Sequence, residues 1–208
     1  MSLACEVYFI RHGQTDWNAQ GLIQGHADIP LNATGASQAS HLGELLADIP
    51  FSAAFSSDLV RARQTAELVL KPRSIPIVAS SALRERSAGK MEGESTDKFD
   101  QIVRSFFLSE QALVKETYLS SAWHPELETP YSILKRVMDF LLPQVNHHQE
   151  QSILVSTHGG VLRSILDFLS FMPRQRWTVA NCGFIKIKMG QDILHLLDCY
   201  GVTCRQIV

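Results

Sequence analysis

The sequence lacks a charge excess: 19 basic residues face 21 acidic ones, for a formal net charge of −2 at pH 7. A balance that close excludes the broad basic surface that nucleic acid or an acidic membrane requires, so any anion-binding site has to be local. Cysteine is sparse. Cys5, Cys182, Cys199 and Cys204 contain no C-x-x-C pair. That argues against a zinc site or a disulfide framework and predicts reduced, mostly buried thiols. No apolar run reaches membrane-spanning length. The first apolar stretch is short, carries Glu6 and has no basic leader, so no signal peptide is expected and a cytoplasmic location is. Repeats and low-complexity tracts are missing too. Of the eight histidines only His147 and His148 are adjacent, on an expected exposed helix end, so spacing offers no metal site.

What remains is 208 residues that are 45 % hydrophobic, enough to bury a large core as one domain over 1–208 without covalent staples. Cys5 to Ile10 is a strand-like apolar run ending at Arg11-His12-Gly13. Residues 14–31 read as a loop with room for one helical turn. Thr34 is expected to cap a helix carrying Ala36, Ala39, Leu42, Leu45, Leu46 and Ile49. Phe51–Phe55 reads as a second strand and Asp58–Leu70 as a helix. Ile75–Val78 reads as a third strand, at an edge because of Pro76. Residues 94–128 interleave Phe99, Phe106, Phe107, Tyr118 and Trp123 with polar residues and carry no strand signal. They are expected to form a helical insertion over the sheet. Thr129-Pro130 predicts a capped helix to about Asn146. Ser152–Ser156 is a buried strand ending at Thr157-His158-Gly159-Gly160, with a helix over Val161–Phe171. Phe184–Met189 and Ile193–Asp198 close the chain as an antiparallel hairpin. Strands alternating with helices predict an α/β fold: three layers, α/β/α, around a mostly parallel sheet with an antiparallel edge.

Two histidines share one setting, each after a buried strand and before a glycine. Ligands of open parallel sheets bind beyond the carboxyl ends of the strands. If the strands are neighbours, His12 and His158 meet there, and Gly159-Gly160 opens a helix whose N-terminus favours an anion. Phosphoryl transfer needs a nucleophile, cations on the equatorial oxygens and a proton donor for the leaving oxygen. Arg11 adjoins His12. Arg61 stands in the first turn of a helix after another strand, and its fork suits phosphate. Glu85 follows the third strand and suits a general acid. Each feature alone is common: strand-end histidines are mostly structural, and arginines on helices mostly solvated. The joint placement at strand ends is what points to phosphoryl chemistry.

Arg11-His12-Gly13-Gln14-Thr15 resembles the R-H-G-x-T signature of the histidine phosphatase superfamily, the phosphoglycerate-mutase-like family. The same resemblance continues through Trp17-Asn18, Gln24-Gly25, Pro30-Leu31, Thr34-Gly35, Ser56-Ser57-Asp58-Leu59, Arg61-Ala62 and Gln64-Thr65-Ala66. It ends with Leu83-Arg84-Glu85, Gly89, Glu92-Gly93, Ser156-Thr157-His158-Gly159-Gly160 and Asn181-Cys182. The resemblance implies that His12 is phosphorylated, that Arg11, Arg61 and His158 hold the phosphoryl group, and that Glu85 donates the proton. It places Asn18, Gln24, Gly25, Asn181 and the Gly159 N–H around the phosphate. It implies no metal and no cofactor, and a small phosphorylated substrate as the partner, with a homodimer possible. Attack requires an unprotonated His12, which neighbouring positive charge favours.

The family includes hydrolases and mutases. Mutases carry a Tyr-Gly after the acid and an Arg-Arg pair; here Ala88-Gly89 stands in that place and residues 94–128 have no such pair. A phosphomonoester hydrolase is therefore expected ahead of a cofactor-dependent mutase, and ahead of a phosphate-binding scaffold, which needs neither nucleophile nor acid. Phosphatases of this group often have Gly-Glu-Ser where this chain has Pro130-Tyr131-Ser132, so the contact that acid makes is expected to be missing at Tyr131. Ser132 and Arg136 fit the pattern. Phe99, Arg104, Phe106, Lys115 and Trp123 are candidates for a substrate lid, with packing onto the sheet an equal expectation for the aromatics.

Overall fold

A computed structural model describes residues 4–71 and 73–206. Six strands, β1 (Cys5–Arg11), β2 (Phe51–Ser57), β3 (Ile77–Ser80), β4 (Ser152–Thr157), β5 (Gln175–Met189) and β6 (Leu194–Gln206), form one sheet in the order β3-β2-β4-β1-β5-β6. The first four pair in parallel, and β5 and β6 add antiparallel. The four-residue β3 is the outer parallel strand, directly after Pro76, consistent with a proline that cannot donate to a ladder.

Side chains on β1 alternate between two cores, as the period of two requires. Val7 and Phe9 pack into one cluster with Ile133, Val137 and Leu141 of α6 (Pro130–His147) and Val161, Leu162 and Ile165 of α7 (Gly159–Leu169). Tyr8 and Ile10 pack into the other with Ala39 and Leu42 of α2 (Ala33–Leu45) and Val69 and Leu70 of α3 (Val60–Leu70). These are the three expected layers. The loop between β1 and α2 holds one short helix, α1 (Asp16–Ala19). Residues 94–128 fold as helices α4 (Thr96–Phe107) and α5 (Lys115–Ser120) with a 3₁₀ turn between them. Among the described residues no helix is long and apolar enough to cross a membrane.

Several expected boundaries move. Asn32, not Thr34, caps α2: its backbone is extended and its Oδ1 accepts the Gly35 N–H at 2.9 Å, while Thr34 is already helical. Ile49 lies past the end of that helix at Leu45. The third helix begins at Val60 because the Asp58 carboxylate is held by Arg84, at 2.8 and 2.7 Å, rather than capping. The hairpin is longer than its alternating part. β5 runs back to Gln175 through a register break between Val179 and Phe184, where Cys182 takes φ 57°. The thiols are less buried than expected: Cys5 and Cys182 are buried, Cys204 partly, and Cys199 is exposed on the outer strand. Thr129 caps α6 as expected, its hydroxyl accepting the Ser132 N–H, with Pro130 in the first turn.

Candidate active site

Adjacent parallel strands bring the two histidines together. β1 and β4 pair with Arg11 opposite Thr157, so His12 and His158 are the next residues off neighbouring strand ends. The His12 N–H donates to the Thr157 carbonyl at 3.0 Å, and the two rings lie 5.2 Å apart. His12 Nδ1 lies 2.7 Å from the Gly13 carbonyl. A carbonyl only accepts, so Nδ1 carries the proton and Nε2 keeps its lone pair. Burial, then the charges of Arg61 and Arg11, push the His12 pKa well below 6.5 against the opposing Gly13 bond. His158 is fully buried, neither ring nitrogen has a hydrogen-bond partner among the described residues, and burial and Arg61 push its pKa well down too.

The cations come from three elements. Arg61, in the first turn of α3, is fully buried and donates to the Ala27 carbonyl at 2.7 Å and the Gly25 carbonyl at 2.9 Å. Burial lowers its pKa to about 10, with Glu85 and Asp28 opposing. Gly25 takes φ +49°, and a Cβ there would strike the Glu92 carboxylate, so glycine lets this loop aim its carbonyl at Arg61. Arg11 donates to the Val179 carbonyl. The Nε atoms of both arginines are buried without a partner.

Glu85 is held from both ends. Its carboxylate accepts the Arg86 N–H at 2.7 Å and the Gly160 N–H at 3.1 Å. Its carbonyl meets His26 Nε2 at 2.9 Å and Arg136 Nη2 at 3.1 Å. Burial raises its pKa, but Arg163, the two N–H groups and Arg61 outweigh burial, and the net shift is downward.

Most of these groups line one cavity of about 170 Å³. Arg11, His12, Asn18, Gln24, Gly25, Arg61, Glu85 and Gly159 face it. His158 lies beneath His12 rather than on the wall, and Asn181 is not on the wall either. Asn181 Nδ2 donates to the His12 carbonyl at 3.0 Å and to Asn18 Oδ1 at 3.2 Å, which braces the turn that carries His12. Arg86, Arg163, Arg176 and Asp100 also line the cavity, and the sequence reading had not singled them out as site residues. Arg163 had a readable signal: it stands four residues after Gly159, on the same helix face. Of the lid candidates, Phe99 lines the cavity. Phe106 and Trp123 stack at 5.9 Å inside an aromatic cluster with Phe107 and Tyr118, and Lys115 lies over Phe168 at 4.6 Å. At the start of α6 the carboxylate that meets Ser132 and Arg136 is Glu128. Its carboxylate accepts from Arg136 Nε at 2.7 Å, Arg136 Nη2 at 2.9 Å and the Ser132 hydroxyl at 3.2 Å, while Tyr131 is exposed.

The family description "Histidine phosphatase superfamily (branch 1)" matches residues 7–199. A Bacillus subtilis (strain 168) protein named Uncharacterized phosphatase PhoE is 31 % identical over 168 residues, 79 % of this chain and 77 % of that one. An Arabidopsis thaliana metal-independent phosphoserine phosphatase is 34 % identical over 206 residues, 93 % of this chain and 77 % of that one. Among solved structures, a phosphoglycerate mutase from Bacillus anthracis str. Sterne superimposes with a TM-score of 0.79 at 27 % identity, covering 95 % of this chain and 93 % of that one.

Proposed function

The chain belongs to branch 1 of the histidine phosphatase superfamily, and we propose that it hydrolyses small phosphomonoesters through a phosphohistidine on His12. One observation carries this reading. Beside a neutral His12 and the Glu85 carboxyl, Arg11 Nε, Arg61 Nε and both ring nitrogens of His158 are buried without partners. Buried polar groups are normally satisfied, and the oxygens of a phosphoryl group on His12 Nε2 accept from the two arginine Nε–H groups and from the single ring N–H of a neutral His158.

The chemistry follows in two displacements. His12 Nε2 attacks phosphorus, the P–O bond to the leaving group breaks, and Glu85 gives that oxygen a proton. Water then attacks the phosphohistidine and passes its proton to Glu85. The P–N bond breaks, returning His12 neutral and releasing phosphate. Arg11 and Arg61, both fixed before substrate arrives, stabilise the charge on the transferred group. Asn18 and the Gly159 N–H complete the phosphate end, and Asn181 acts through the His12 carbonyl. A cytoplasmic location is proposed as well, because the exposed free thiol of Cys199 is what a reducing compartment preserves.

Phosphate release from sugar phosphates, phosphoglycerates, nucleotides and phosphoamino acids tests the reading, with His12→Ala as control. Activity is expected to fall on the order of 10⁴-fold or more, and acid-labile labelling is expected to vanish. Retained activity sinks the mechanism, and label on His158 reverses the roles. Isomerisation of 3-phosphoglycerate outpacing its hydrolysis makes the chain a mutase, with a second substrate hydroxyl in place of water.

A further inference from the structure

The cavity holds more positive charge than the phosphoryl group uses. Arg11, Arg61, Arg86, Arg163 and Arg176 line it against Glu85 and Asp100. Asp100 is already shared by Arg176 and Arg205. Arg86 packs on the Trp123 ring at 4.1 Å and reaches the Ser164 hydroxyl at 3.5 Å. Arg163 differs from both: among the described residues its guanidinium has neither a hydrogen bond nor an ion pair.

Its place is set by helix geometry. Arg163 Nη1 and Arg11 Nε each lie 3.3 Å from the position of a Cβ on Gly159. The guanidinium therefore turns toward Arg11 and onto the cavity lining, where it stays partly open to solvent. Burial first, then the charges of Arg176, Arg86 and Arg11, lower its pKa to about 10 against the opposing pull of Glu85. Arg163 thus stands beside Arg11 at the phosphoryl end, on a lining it shares with the insertion end, marked by Arg86 on Trp123 and by Arg176 on Asp100. A guanidinium lining a cavity among like charges, with no counter-ion of its own, is open to an anion, and its planar fork fits a carboxylate or phosphate with two bonds.

We propose that Arg163 receives a second anionic group, a carboxylate or another phosphate, on the same small molecule that carries the scissile phosphoryl group. The proposal rests on the hydrolase reading for the position of the first anion. The apolar wall between the two ends, Leu22, Ile23, Phe99 and Leu127, suits a short carbon skeleton joining them.

Three phosphonates that cannot be hydrolysed test it by calorimetric affinity at pH 7: propylphosphonate, 2-carboxyethylphosphonate and ethane-1,2-bisphosphonate. The wild type is expected to bind at least one doubly anionic ligand about tenfold or more tighter than propylphosphonate. Which one gains identifies the second group. In Arg163→Gln that ratio is expected to fall below about threefold, and Arg163→Lys to restore part of it. The ratio cancels any general change in the pocket, and propylphosphonate binding reports that each variant is folded. A preference that persists in Arg163→Gln, or its absence in the wild type, overturns the proposal. Equal weakening of all three ligands assigns Arg163 to the phosphoryl group and overturns it too. Failure of the hydrolase reading looks different: no monoester releases phosphate, whatever the binding ratios.

Discussion

Gly160→Ala is expected to separate activity from stability. Gly160 is the second residue of α7, and its N–H holds the Glu85 carboxylate at 3.1 Å. An added Cβ would lie 2.0 Å from Glu85 Oε1, 3.1 Å from its Cδ and 3.2 Å from Arg86 Cβ. Its φ is not in the left-handed region, so alanine is unstrained there and gains up to about 1 kcal/mol in helix propensity. The carboxylate must swing aside by about an ångström or more to reach ordinary contact distance. That forfeits a charged hydrogen bond worth about 1.5–3 kcal/mol. Net stability in urea titration is therefore expected to change by no more than about 2 kcal/mol. Activity answers to a different quantity. A positioned general acid contributes about 10²–10⁴-fold, so kcat/KM on an alkyl phosphate is expected to fall about 10²-fold. On p-nitrophenyl phosphate, whose leaving group needs little protonation, the fall is expected to be under about tenfold. In a Glu85→Ala background the same substitution is expected to cost almost nothing more. Alkyl phosphate turnover within threefold of wild type, or a further large loss without Glu85, refutes the reasoning.

Stability is expected to fall on acidification. His12 and His158 have folded pKa values well below the unfolded value of 6.5. The unfolded chain takes up their protons first, so stability is full above about pH 7 and drops below pH 6.5, by at most about 1.4 kcal/mol per pH unit per histidine. Asp167, raised by burial to about 6 against Tyr118 and Arg86, acts the other way below pH 6 and offsets part of the drop. Urea unfolding between pH 5.5 and 7.5 that shows no loss contradicts this assignment. Phe107→Ala, at a residue 1 % exposed within 5.5 Å of the Tyr118 ring and 5.4 Å of Trp123, is expected to cost about 3–5 kcal/mol. Phe99→Ala, on the cavity wall, is expected to change substrate KM values more than the urea midpoint, and the reverse ranking would move the lid elsewhere.

The two histidines were legible because each ends an apolar strand before a glycine while Arg61 and Glu85 stand at strand ends as well, and pairing β1 with β4 needed only the parallel order those strands suggest. Thr129-Pro130 was legible because threonine favours the N-cap and proline the first helical position after it, so the two mark one boundary. Asn32 and Thr34 are both good caps two residues apart, and spacing cannot choose between them. The early part of β5 was hidden because Gln175–Gly183 does not alternate: its ladder breaks at Cys182. The place of Arg86 beside two other charged residues, and of Arg163 inside a helix, does not by itself mark either as a site residue. Only the packing of Trp123 under one and Gly159 beneath the other turns them inward. Glu128 was overlooked because it precedes the capped helix by one residue, while Arg136 reaches back two turns to meet it.

A general acid needs a proton, yet the free pocket lowers the pKa of Glu85. Burial favours the protonated carboxyl, and Arg163, the Gly160 and Arg86 N–H groups and Arg61 override it. A bound dianion changes that balance. Once Arg61 pairs with phosphoryl oxygens, its charge no longer acts on Glu85 alone, and the dianion itself repels the carboxylate. At an effective dielectric of about 20, two like charges about 4 Å apart repel by about 4 kcal/mol, equal to about three pKa units. A shift of that size opposes the depression and favours the protonated carboxyl. The substrate then recruits the acid that its own leaving group requires. Sulfate tests this, because it stays dianionic throughout the working range. Calorimetry at pH 6.5 in two buffers of different ionisation enthalpy is expected to show proton uptake on sulfate binding, and Glu85→Gln to show none. Uptake that survives in Glu85→Gln belongs to His12. Binding with no uptake in the wild type would leave Glu85 a positioning residue, and the leaving oxygen would have to take its proton from the substrate itself.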